Sequence, residues 1–186
     1  MKDPRIQIVH NEKEHGYTKN FENAINHSRG DIIFLSDQDD VWKENKVKVM
    51  CEALKDHKLA IHDAVMTDGD LNVTAPSHFQ KYGVKKGFWH TFVYSRYSGC
   101  CMAMTREFLK RALPFPEKQK YCPYDYWLPY LGEFYHEAIV LDEALIYYRR
   151  HEGTALFAGD HSTRTFWEKF YTKIYCLKEL LKRRKI

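Results

Sequence analysis

The stretch Ile32-Ile33-Phe34-Leu35-Ser36-Asp37-Gln38-Asp39-Asp40-Val41-Trp42 passes from four consecutive apolar residues to three carboxylates within four positions. An apolar run of this length between turn signals reads as a buried strand. Because the run is continuous and not alternating, it fits a parallel sheet covered on both faces. A strand that ends in an acidic cluster sets its charges at the mouth of a cleft. Carboxylates this close repel one another, and a divalent cation is the usual remedy. Oxygen ligands suit magnesium or manganese, so the stretch points to metal-assisted chemistry on a phosphorylated substrate. Asp37 and Asp39 fall on one side of an extended segment. Asp39 or Asp40 is equally suited to cap a following helix.

Reading outward, residues 31–36 form the strand, and residues 18–27 before it form a helix with Phe21, Ala24 and Ile25 at helical spacing and Gly30 past its end. Residues 5–10 alternate and read as a further strand, which makes the opening a βαβ unit. Beyond the acidic cluster, residues 42–57 predict a helix with Val47, Met50 and Leu54 on one stripe, and residues 59–66 a strand. Asp68-Gly69-Asp70 marks a turn. Residues 72–97 lack clear periodicity and read as a loop-rich insertion. A strand follows at residues 99–105, then helices at 106–113 and 125–135, and two short strands at 138–141 and 144–148. From Thr165 the pattern is helical: Thr165 and Glu168 have capping-box spacing, and Phe166, Phe170, Ile174, Leu177 and Leu181 form an apolar stripe.

The chain's 186 residues, 44% of them apolar, suffice for one domain with a real core. Its net charge of +4 resides mainly in the tail Lys182-Arg183-Arg184-Lys185, which argues against a nucleic-acid partner, since these show a clustered basic face. The five cysteines are odd in number, and none forms a Cys-x-x-Cys pair, so neither zinc nor a disulfide framework is expected and a reducing, cytoplasmic location is. No apolar segment follows Met1-Lys2-Asp3-Pro4, so no signal peptide is expected, and no run approaches the ~20 residues of a membrane span.

Several blocks, taken in order, resemble family 2 glycosyltransferases of the GT-A fold, in particular their bacterial rhamnosyltransferase-like branch. They are Gly16…Asn20-Phe21…Ala24-Ile25…Gly30-Asp31, then Asp37-Gln38-Asp39-Asp40-Val41-Trp42 in place of the family's Asp-x-Asp motif, then Gly99-Cys100 with Leu113-Pro114-Phe115-Pro116, Tyr124-Asp125-Tyr126-Trp127, and Tyr148-Arg149-Arg150-His151. The resemblance implies an α/β, GT-A-like (Rossmann-like) domain over residues 1–160, with a mostly parallel central sheet flanked by helices, followed by an amphipathic helix with a basic tail over 161–186. The family's opening strands, with Thr-Tyr-Asn and Asp-Asp-Gly-Ser, have no counterpart before Arg5, so the fold is expected to be N-terminally truncated.

The implied activity is inverting, metal-dependent transfer of a sugar, with rhamnose suggested by the branch, from a nucleotide-sugar donor to a saccharide or lipid-linked acceptor during cell-surface polysaccharide synthesis. A catalytically incomplete remnant that serves as a binding module is the alternative. By the same resemblance Asp37, Asp39 and His151 hold Mn2+ or Mg2+, and Asp125 is the general base. Gly16, Asn20, Asp40, Arg149 and Arg150 meet the donor, and Trp127 and Gly99 the acceptor. Plainer roles remain open: capping for Asp40 and Asp125, a buried anchor for Trp127, a surface histidine for His151. The C-terminal helix is suited either to peripheral contact with an anionic membrane at its inner face or to packing on the domain.

Overall fold

A computed structural model of the protein describes residues 3–11, 16–150 and 165–183. In chain order the elements are α1 (Tyr17–His27), β1 (Ile32–Phe34), β2 (Val41–Trp42), α2 (Lys46–Ala53), β3 (Leu59–Thr67), β4 (Val73–Ala75), α3 (His78–Tyr82), α4 (Phe88–Tyr94), a 3-10 turn at Gly99–Cys101, β5 (Met102–Thr105), α5 (Arg106–Ala112), α6 (Tyr124–Phe134), β6 (Ala138–Arg149) and α7 (Phe166–Lys182). The main sheet runs β1-β5-β3-β6-β2, with β4 paired to β3.

The expected mostly parallel sheet is corrected. Among the described residues only β3 and β6 pair in parallel; β1–β5, β5–β3, β3–β4 and β6–β2 are antiparallel. The apolar run at residues 32–35 is continuous because both faces of the sheet are covered, and coverage says nothing of the neighbour's direction. Along β1, Ile33 and Leu35 enter the larger core while Ile32 and Phe34 pack into the smaller core. Met102 and Met104 alternate with Ala103 in the same way, as do Leu59 and Ile61 with Ala60. On the larger side lie Ile25 of α1, Phe92 of α4, Phe108 and Leu109 of α5, Trp127 and Leu131 of α6 and Leu180 of α7. The other side is closed by Met50 and Leu54, in and just after α2.

Several local expectations also shift. Residues 5–10 are not a strand, so the opening βαβ unit does not form among the described residues. The helix expected from residue 42 begins at Lys46, because Val41 and Trp42 pair with Tyr147 and Ile146 of β6. Its buried face is Lys46 and Met50, continued by Leu54, whereas Val47 is exposed. Residues 72–97 hold β4, α3 and α4. The two short strands near the C-terminus are one strand, β6, interrupted where its register against β3 jumps from Leu141 to Ala144. The expected capping box is formed at α7: Thr165 Oγ1 accepts from Glu168 N, and Glu168 Oε2 accepts from Thr165 N.

Candidate functional site

The antiparallel β1–β5 register builds the site. Ile32, Ile33 and Phe34 face Thr105, Met104 and Ala103, and Leu35 N donates to Met102 O at 3.1 Å. Two residues further along the same register, Asp37 comes opposite Cys100 in the 3-10 turn. The chain then turns at Gln38-Asp39, which folds Asp40 back toward Asp37. Asp40 Oδ1 accepts from Arg149 N at 3.1 Å, fastening the acidic loop to the end of β6. As a result one ligand atom each from Asp37, Asp40 and Cys100 lies within 4.8 Å of the others.

The electrostatics of this cluster are those of an enclosed acidic site. Burial, offset in part by the Cys100 thiol and Arg149 N and reinforced by Asp37 and Asp39, pushes the Asp40 carboxyl up to about 6. Burial and the neighbouring Asp39 raise Asp37 as well, against the pull of Cys100 and Lys46. Asp40 Oδ2 is enclosed with no hydrogen-bond donor among the described residues. An orphaned carboxylate oxygen beside a second carboxylate and a thiol is a fitting donor set for a divalent cation, with the sulfur favouring Mn2+ over Mg2+. The hydrogen bond with Cys101 and burial push the Cys100 thiol up, so coordination through its sulfur requires release of that proton.

Lys46 was not among the residues expected from sequence. It is fully buried, with Nζ donating to Cys100 O at 3.0 Å and lying 4.1 Å from the centre of the Trp42 ring. Burial lowers its pKa, while Cys101, Cys100, Asp40 and Asp37 work against that shift. The signal in the sequence was its position one turn before Met50 on an otherwise apolar stripe. Tyr124 was also missed as a site residue. Its buried hydroxyl, pushed up mainly by desolvation, feels Asp125, Asp37 and Cys100 in that order, and so links the base candidate to the acidic cluster.

The remaining candidates fall as follows. Asp125 sits half-buried in the first turn of α6. Asp39 lies on the turn and is not in the converging set. His151 lies outside the described residues. Gly16 begins α1 at a φ of 134°, and Asn20 Oδ1 accepts from Asn11 Nδ2 at 3.2 Å. Tyr17 and Phe21 of the same helix set their rings 5.8 and 4.4 Å from that of Tyr124, which brings the start of α1 to the site. Arg149 Nε is buried with no acceptor among the described residues, and Arg150 donates to the Tyr82 hydroxyl at 2.7 Å.

Both acceptor candidates are buried. Trp127 is fully buried, its indole donating to Ala112 O at 2.9 Å, so it anchors the core and offers no face to a sugar. A Cβ on Gly99 would lie 2.2 Å from the Tyr124 hydroxyl, so that position is a close packing contact already covered by a side chain. A separate cleft of about 470 Å³, lined by Arg5, Gln7, Val9, Ala24, His27, Ser28 and Arg29, contains none of the predicted site residues.

The family described as Glycosyl transferase family 2 matches residues 1–113, which take in α1, the acidic loop and Cys100. The match spans more than half of the chain, and the protein belongs to this family; it is a glycosyltransferase by class, a kind of enzyme that works between a nucleotide-sugar donor and an acceptor. Comparison with curated proteins returns no match.

Proposed function

We propose that the protein catalyses inverting, metal-dependent transfer of a hexosyl group, rhamnosyl in the branch it resembles, from a nucleoside-diphosphate sugar to an acceptor hydroxyl. Its place is the cytoplasmic assembly of a cell-surface polysaccharide, with a free or lipid-linked saccharide as acceptor. The observation that carries this reading is the convergence of Asp37, Asp40 and Cys100 at the end of β1, beside Tyr124 and within its reach Asp125.

In this reading Asp37, Asp40 and Cys100 would hold Mn2+, which when bound would offset negative charge on the departing diphosphate. Arg149, with its buried Nε, and Arg150 at the end of β6 supply cationic contacts for phosphate oxygens. Asp125 takes the proton of the acceptor hydroxyl as that oxygen attacks the anomeric carbon and the bond to the diphosphate breaks. It stands in the first turn of α6, at the positive end of that helix's dipole. Lys46 holds the Cys100 carbonyl, and thereby the turn that carries the thiol. Residues 1–160 form the transferase unit, to which α7 is appended.

Titration calorimetry with Mn2+ and nucleoside diphosphates, followed by a transfer assay, tests the reading. Metal-dependent binding of a nucleoside diphosphate is expected. Absence of binding at millimolar ligand would overturn it.

A further inference from the structure

The outward face of α7 is apolar along its whole length: Phe166 (73% exposed), Trp167 (74%), Phe170, Ile174, Leu177 and Leu181 all face away from the core, which takes Thr172, Cys176 and Leu180 from the opposite side. A second helix contributes to the same region. The Lys173 ammonium donates to the carbonyl of Phe92 in α4 and, at 3.1 Å, to the Tyr130 hydroxyl. On the helix it grips, Trp89 is 74% exposed and Val93 and Tyr94 are also exposed.

Charge separates the candidate occupants of this surface. From Asp70 to Glu107 the chain has no acidic residue between, yet it carries Lys81, Lys85, Lys86 and Arg96 on either side of α4, of which Lys86 pairs with Asp142 at 2.8 Å. The two acids of α7 are engaged elsewhere: Glu168 caps the helix and pairs with Lys120 at 3.1 Å, and the nearly buried Glu179 pairs with Lys182 at 2.6 Å. Lys169 and Lys178 are exposed on either side of the apolar stripe, while Lys173 is held by α4 and α6 and Lys182 by Glu179. Trp167, Phe170, Ile174, Leu177 and Leu181 also have the alternating three- and four-residue spacing of a helix-pairing seam. Parallel self-pairing along that seam would set Lys173 beside Lys178 of the second copy, a contact between like charges.

We propose that α4 and α7 together form a docking face for an anionic lipid surface, with the tryptophans and the apolar stripe entering the headgroup region and the lysines meeting lipid phosphates. The proposal deepens the reading of a lipid-linked acceptor: α6, which carries Asp125 at its start, packs against both helices. No described helix is long and apolar enough to cross a membrane, so the contact is a lying one.

Sedimentation of the full chain with vesicles tests this. Binding is expected to vesicles containing phosphatidylglycerol, with a blue shift in tryptophan fluorescence, and to fall by about tenfold or more on pure phosphatidylcholine or in high salt. The pair Phe170→Glu and Leu177→Glu replaces exposed residues, so the fold is expected to persist by circular dichroism while vesicle binding is lost. Trp89→Ser alone should weaken it, which ties α4 to the face. No binding to anionic vesicles overturns the proposal. So does binding unaffected by the Glu pair, or a self-association that the pair dissolves while vesicles are ignored. Donor binding by calorimetry is read separately, so failure of one reading leaves the other standing.

Discussion

At the scale of the residue, Asp40 carries the sharpest consequence. Strand alternation pairs Asp37 with Asp39, but the chain stops being extended after β1, and a turn brings together residues three apart. Asp40→Asn is therefore expected to weaken Mn2+ binding by about tenfold or more, as loss of a charged ligand does, while Asp39→Asn costs less; calorimetry ranks the two. Cys100→Ser should narrow any preference for Mn2+ over Mg2+, since an oxygen replaces the softer sulfur. His62 offers a prediction of another kind. It is fully buried, with Nδ1 placed 2.6 Å from Asp63 O, and burial, helped by Lys46, lowers its pKa to about 3. The unfolded chain then binds the extra proton, so the stability contributed by neutral His62 is complete above about pH 6.5 and is lost as the pH falls toward 3. Relative to the native chain, His62→Asn, which keeps a donor, should flatten the acid side of the stability curve. The slope removed is about 1.4 kcal/mol per pH unit, by urea denaturation.

At the scale of the element, α7 and α2 were read with different success. The Thr165–Glu168 box and the 165–181 stripe were legible because capping and helical period are local properties. Thr165→Ala should cost about 1 kcal/mol, measured as a lower denaturation midpoint. Helix α2 was read too early at its start, because Trp42 pairs with a strand about a hundred residues away in the sequence. Its buried face was misjudged by one residue. Lys46 lies off the expected stripe of Val47, Met50 and Leu54, yet a carbonyl and an indole ring receive it inside the fold. Residues 72–97 hid two short helices because segments of five and seven residues have too few turns to display a period.

At the scale of the whole molecule, the site and the core are one construction. Tyr124 is held among Phe21, Phe115 and Tyr17 and lies over Gly99, next to the turn bearing Cys100. Enclosed on its other sides, the ring has little room to retreat from a new methyl group. Gly99→Ala is expected to cost about 1–3 kcal/mol and to weaken Mn2+ binding in the same protein. A variant that lost stability but bound metal as before would separate Tyr124 packing from the site.

The acidic stretch at residues 36–40, the helical periods of α1, α6 and α7 and the family blocks are properties of neighbouring residues, and the sequence by itself determined them. The direction of β5, the turn that exchanges Asp39 for Asp40, the thiol of Cys100 and the burial of Lys46 were decided by the tertiary structure alone. Strand pairing carries no local mark of direction when both faces of a sheet are covered. The site depends on that pairing, because the β1–β5 register brings Asp37 opposite a cysteine more than sixty residues along the chain.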